Sequence, residues 1–290
     1  MSQFDAITPR EVSSMVAQDH QGPIGVFDSG VGGLTVLGEI RRRLPGEDIL
    51  YLADQAHVPY GPRSKAQVKG FSEGIVQFLL GRGAKLIVVA CNTASAAALS
   101  FLRRNFPEVP FVGMEPAVKP AAERTVSGVV GVLATPATFQ GELYHRTVER
   151  FARDVTVLQH TCPGLVEEIE LGRIRSQGTR DILEGALEPM LNRGVDKIVL
   201  GCTHYPFVIP VIKGIVGPEV QVIDPAPAVA RQVVRMLEER ELCRERRRGG
   251  RVTYLTSGDP AELGQVLTNL TGAESRPAAL SWMGGELVLE

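Results

Sequence analysis

Cysteine is sparse in this 290-residue chain, and its four residues, Cys91, Cys162, Cys202 and Cys243, follow no framework spacing. That excludes a disulfide-stapled scaffold and fits reduced thiols in a cytoplasmic protein. Neither a Cys-x-x-Cys nor a His-x-x-x-His pair occurs, so no metal-ligand motif is present. A dominant charge is also lacking: 31 Lys and Arg stand against 33 Asp and Glu. The balance gives no bulk attraction to nucleic acid or to a membrane surface. No segment approaches the roughly 18 apolar residues of a membrane span, and residues 1–21 lack the basic and apolar regions of an export signal. The glycine loop at 30–33 has neither the dinucleotide fingerprint nor the P-loop spacing. The one basic run, 244–251, reads as a solvated helix end rather than a phosphate-binding patch.

What is present is an ordinary globular composition, 44% hydrophobic, arranged in a repeat. Residues 82–93 align without gaps on 193–204 with five identities in twelve, an offset of 111. At that same offset, 107–118 fall on 218–229 with six identities. The segment 24–29 resembles 130–135 at an offset of 106. A period near 110 residues is too long for a solenoid and indicates two similar domains.

Within each unit, short apolar runs alternate with helical stretches. The strands expected are 24–27, 49–52, 86–90 and 111–112, then 129–133, 155–158, 198–201 and 220–223. Helices are expected at 35–44, 65–80 and 179–191. Such alternation predicts an α/β protein: two similar doubly wound parallel-sheet domains facing each other about a pseudo-two-fold axis, with the site in the cleft between them. The first domain should comprise 23–115 and the second 116–224, with 225–290 assigned to the first domain mainly by the family resemblance described below. In the tail, a helix is expected over 226–243, a strand over 252–256 and a helix over 260–270. Residues 1–22 stand outside the repeat as an N-terminal extension, and Thr8 begins a capping-box pattern there.

Parallel sheets bind ligands outside the carboxyl ends of their strands. Cys91 and Cys202 occupy equivalent strand-end positions in the two units, so two thiols would meet across one cleft. Asn92 and Thr93 follow one thiol, Thr203 and His204 the other, and these groups suit a carboxylate ligand. A strand-end cysteine is ordinarily a small buried apolar side chain. Two in register with different polar followers favour a functional role. A redox disulfide is the competing use of facing thiols, although a substrate held between them would keep the sulfurs too far apart to bond.

The strings 25–35 (GVFDSGVGGLT), 59–62 (PYGP), 89–93 (VACNT), 133–138 (LATPAT), Cys162-Pro163 with Glu170, and 200–206 (LGCTHYP) resemble those of the cofactor-independent glutamate racemases. The resemblance runs from about Pro23 to about Arg240. It implies racemisation of glutamate by two bases with no pyridoxal phosphate or other cofactor, and hence D-glutamate for peptidoglycan synthesis. Cys91 would take the proton from D-glutamate and Cys202 from L-glutamate. Asp28 would assist Cys91, and His204 with Glu170 would assist Cys202. Ser29, Pro59, Tyr60, Gly61, Asn92, Thr93, Thr135, Thr138 and Thr203 would bind substrate, together with Asp28 and His204. Gly141 departs from the Ser that many members carry. The extension resembles that of members responding to a peptidoglycan precursor, and a homodimer is compatible with the pattern.

Chemistry agrees with that implication. Inverting a stereocentre by proton exchange needs a base on one face of the carbon and an acid on the other, and free thiols, with a pKa near about 8.5, serve as either. Competing readings are a racemase of a related amino acid such as aspartate, a cysteine hydrolase using one thiol, and a binding protein that exchanges no proton.

Overall fold

The apolar run at 86–89 shows how the sequence builds the sheet. Leu86 and Val88 face one core cluster while Ile87 and Val89 face another. Side chains alternate across a strand, so a run with no polar member forms a strand covered on both faces. In β1 (Ile24–Asp28), Ile24 and Val26 likewise separate from Phe27. The coordinates are a computed structural model, which describes residues 20–245 and 248–290. The expected helix start at Thr8 lies outside them.

The first unit contains β1, α1 (Leu34–Arg43), β2 (Ile49–Ala53), α2 (Lys65–Leu80), β3 (Leu86–Val89), α3 (Asn92–Asn105) and β4 (Phe111–Gly113). After α4 (Val118–Ala122) comes the second unit, beginning with β5 (Val129–Ala134), α5 (Pro136–Phe139), α6 (Glu142–Phe151) and β6 (Thr156–His160). It continues with α7 (Leu165–Glu170), α8 (Gln177–Leu191), β7 (Lys197–Gly201), a 3-10 turn at Tyr205–Val208, α9 (Ile209–Val216) and β8 (Gln221–Ile223). The tail adds α10 (Ala226–Glu239), β9 (Val252–Thr256), α11 (Pro260–Thr271), β10 (Ala278–Met283) and β11 (Glu286–Leu289).

Both units have one topology. The orders β2-β1-β3-β4 and β6-β5-β7-β8 are the same parallel arrangement, and β9, β10 and β11 extend the first sheet beyond β2. Strand β9 pairs in parallel with β2 along its length, Ile49 opposite Val252 to Ala53 opposite Thr256. All carboxyl ends in each parallel array therefore emerge on one side. Asp28, Asp54 and Cys91 lie at these ends in the first sheet, Thr135 and Cys202 in the second.

Two features depart from expectation. The helix expected to run to 243 stops at Glu239, because Glu241 takes a left-handed φ of 58° and the Leu242 N–H bonds the Leu237 carbonyl at 2.8 Å. That six-residue closure ends a helix. The chain then turns inward, so Arg244 is not on a solvated helix end. Its guanidinium pairs with Asp48 at 2.7 Å beside the buried Lys85–Glu47 pair. The second departure is the antiparallel β10–β11 hairpin, whose turn is Gly284-Gly285, both at positive φ. Paired residues with φ > 0 are the two-residue hairpin signal.

Candidate active site

One slot receives residues from both sheets. Ser29, Pro59, Tyr60, Gly61, Cys91, Asn92 and Thr93 come from the first unit, and Thr135, Val166, Cys202, Thr203 and His204 from the second. Asp28, Glu170 and Thr138 stand one layer behind, each bonded to a wall residue. Val166 is the wall residue that sequence reasoning missed; its only signal was its place in the apolar face of a short helix.

Cys91 caps the N-terminus of α3, and its sulfur accepts the Ala94 N–H at 3.5 Å. A helix N-terminus favours negative charge there. Burial nevertheless pushes the Cys91 thiol far above its ordinary range, and the nearby Asp28 charge pushes it the same way. Both effects favour the thiol form of Cys91. Asp28 is itself wholly buried, and that burial raises its carboxyl to about 6, against the opposing pull of His204 and hydrogen bonds from Gly30 N–H and the Thr203 hydroxyl. Those two bonds measure 2.9 Å each.

The second thiol has a different neighbour. His204 Nδ1 lies 3.7 Å from Cys202 Sγ, and its Nε2 lies 2.5 Å from Glu170 Oε1. Burial alone would lower the His204 pKa, but its bonds to Cys202 and Glu170 outweigh it and hold the ring well above the ordinary histidine value. Nε2–H donates to Glu170, while Nδ1 either donates to the Cys202 sulfur or accepts its S–H. Burial would also raise Glu170, yet the bond from His204 and the Val31 N–H at 2.8 Å keep it below the usual carboxylate range.

Most polar groups around the slot are already paired. Thr93 and Thr135 hydroxyls meet across the seam at 2.9 Å, and Thr135 meets Thr138 at 3.0 Å. The Tyr60 hydroxyl donates to Asp54 at 2.6 Å, so its oxygen is engaged away from a substrate. Asn92 is the exception: its amide nitrogen and oxygen are both buried and both lack a partner. Leaving such a group unsatisfied costs about 1–3 kcal/mol, and buried amides are otherwise bonded. A ligand with complementary polar groups accounts for it.

The loop Gly30–Gly33 has a packing explanation. A Cβ on Gly32 would stand 2.5 Å from His204 Nδ1 and 2.6 Å from the Thr203 hydroxyl, and one on Gly30 would overlap Glu170 Oε1 at 1.9 Å. Gly30 and Gly32 admit the side chains of the second unit against bare backbone. Gly141 is similar: as N-cap of α6 its added Cβ would lie 2.9 Å from the Ala96 Cβ, which is too close for the Ser that many racemases carry unless the helices shift.

Two equivalent sheets place one thiol each in a single slot, with Asp28 near one and His204 beside the other, an arrangement suited to exchanging a proton at carbon. The chain belongs to the Asp/Glu/Hydantoin racemase family, whose sequence model matches residues 24–233. A glutamate racemase of Roseiflexus is 53% identical over 249 residues, covering 86% of this chain and 92% of the relative. The Thermus thermophilus glutamate racemase, solved with beta-chloro-D-alanine, is 40% identical with a TM-score of 0.75, covering 90% of this chain and 96% of that one. The Escherichia coli enzyme, solved with L-glutamate and the activator UDP-MurNAc-ala, is 33% identical with a TM-score of 0.76, covering 86% and 95%. An aspartate racemase homologue of Pyrococcus horikoshii is 20% identical with a TM-score of 0.50, a likeness of fold alone.

Two outcomes follow from this geometry. Gly32→Ala should fold but lose about 100-fold in turnover, because His204 and Thr203 must give by roughly 1 Å; circular dichroism and initial rates check both parts. Asp28 has its folded carboxyl raised to about 6 from 3.8. Its ionisation therefore opposes folding: the penalty is absent below the unfolded value and complete above about 6. Asp28→Asn should stabilise by about 1–3 kcal/mol at pH 7.5 and by about a third of that at pH 4.5. Equal melting shifts at both pH values would contradict the assignment.

Proposed function

We propose that the chain is a glutamate racemase in which Cys91 and Cys202 exchange protons at Cα from opposite sides, supplying D-glutamate for peptidoglycan. The observation carrying this is the slot itself, where both thiols and the unpaired Asn92 amide converge. The family membership and the 53% identical relative support the substrate. Four free cysteines suit a reducing compartment such as the cytoplasm.

In this mechanism L-glutamate loses its α-proton to Cys202, and His204 stabilises the thiolate that begins the step. Cys91, held as a thiol, delivers a proton to the opposite face. Asp28 reverses that role by drawing the proton from Cys91 when D-glutamate is the substrate. The substrate's ammonium brings positive charge into the slot and favours thiolate there. Asn92, Thr93, Thr135 and Thr203 bind its carboxylates, and Ser29 and the Pro59–Gly61 wall complete the enclosure. The closed slot holds about 20 Å³ of free space, the scale of one water. Glutamate therefore enters as the two units part, and closure remakes the cross-seam bonds around it.

In deuterium oxide, L-glutamate newly formed from D-glutamate should carry deuterium at Cα from the first turnovers, while recovered D-glutamate carries little. Serine is a much weaker base, so Cys91→Ser and Cys202→Ser should each abolish racemisation, by more than about 1000-fold. Each should still eliminate halide from one enantiomer of a β-chloro analogue, with opposite preferences. A shared preference would refute the two-sided arrangement.

Regulation by a peptidoglycan precursor is part of this reading, supported by the activator bound in the Escherichia coli relative. Deleting residues 2–20 should abolish a rate response to UDP-MurNAc-alanine while leaving basal racemisation within about twofold. An unchanged response would remove the extension from the regulatory scheme.

A further inference from the structure

A second cavity, of about 500 Å³, lies on the first unit between α2 and the β10–β11 hairpin. Its lining combines the rings of Trp282, Phe71 and His57 with the polar side chains of Gln67, Glu73 and Gln77. Gly74 makes the approach of helix and hairpin possible, since a Cβ there would lie 2.7 Å from the Trp282 ring. His57 stacks on Phe71 with centroids 3.7 Å apart and planes 15° apart, and Trp282 meets His57 edge-on at 5.3 Å.

This cavity is connected to the slot through two routes. Phe71 also packs against Tyr60, at 5.7 Å between centroids, and Tyr60 forms part of the slot wall. The second route is Asp54, a fully buried carboxylate. It accepts hydrogen bonds from Trp282 Nε1 at 2.8 Å, Ser257 at 2.6 Å and Tyr60 at 2.6 Å, and it pairs with His57 Nδ1 at 2.9 Å. One carboxylate thus binds two rings of the cavity and one ring of the slot. A ligand that moves Trp282 or His57 must move Tyr60 or break a bond to a buried charge.

The lining also specifies the ligand. Adjacent rings suit a flat π-system, two amides and a carboxylate offer acceptors to ring N–H and amino groups, and no Lys or Arg lines the cavity. The geometry points to an effector site for an uncharged purine-type heterocycle, acting on the slot through Asp54, Phe71 and Tyr60. Phosphorylated forms are disfavoured beside Glu73. The effect on rate rests on the racemase reading above; the binding does not.

Trp282 is the chain's single tryptophan, so its emission reports on this cavity alone. Guanosine is the probe, because its N1–H and amino group match a carboxylate. Titrated into the full-length protein, it should change that emission saturably below about 1 mM. Racemisation kcat/KM should shift at least about twofold at saturation. Glu73→Ala, distant from the slot, should weaken guanosine at least about tenfold with basal rates unchanged. The inference is overturned if emission shows no saturable change, if Glu73→Ala leaves affinity intact, or if saturation leaves the rate unmoved. Emission that shifts with protein concentration alone would mark the cavity as a contact between copies and overturn it equally. Emission is read without turnover, so failure of the racemase assignment leaves the binding test valid.

Discussion

Everything at the centre depends on the seam between a bare backbone loop and the side chains of the opposite unit. Gly30 and Gly32 leave room for Glu170, Thr203 and His204, and the contact is then fixed by bonds running both ways. Thr203 donates to Asp28, and Val31 N–H donates to Glu170. Asp28 beside Cys91 is therefore held by Thr203 of the second unit, and Glu170, the partner of His204, by the Val31 N–H of the first. Neither unit alone assembles its own chemistry, which gives a reason for the two to remain one chain.

Electrostatics at the seam are unequal. Asp28 stands without a cationic partner in hydrogen-bonding contact, and burial keeps its carboxyl reluctant to ionise. Across the slot, His204 and Glu170 form a buried pair with complementary charge. Burial without a partner and burial with one shift acids in opposite directions. Two carboxylates of similar intrinsic acidity thus end on opposite sides of their ordinary range within one site.

Much of this was legible in the sequence. Strands such as 86–89 and 198–201 stand out because both faces are covered, leaving runs with no polar interruption. The duplication located the thiols, since equivalent strand ends must carry equivalent positions. What could not be read are relations between distant residues. Asp54 draws on Ser257 and Trp282, about two hundred positions away, and no local pattern marks such a carboxylate. The layering behind the slot was equally hidden: Asp28, Thr138 and Glu170 belong to the right strings, yet touch the wall residues rather than form the wall. The early end of α10 was missed because Glu241 takes a left-handed turn that its residue type does not advertise.

The mismatch between the carboxylate beside Cys91 and the histidine–glutamate pair beside Cys202 has a thermodynamic boundary. Mirror-image amino acids have identical free energy in an achiral solvent, so the equilibrium ratio of the two hands is one whatever the protein does. Microscopic reversibility then forces equal kcat/KM in the two directions. The lopsided site can only redistribute each barrier between affinity and turnover: a hand that binds more tightly must turn over more slowly in proportion. The protein's handedness is expressed in its resting state and its saturation behaviour, never in the composition of the pool it leaves behind.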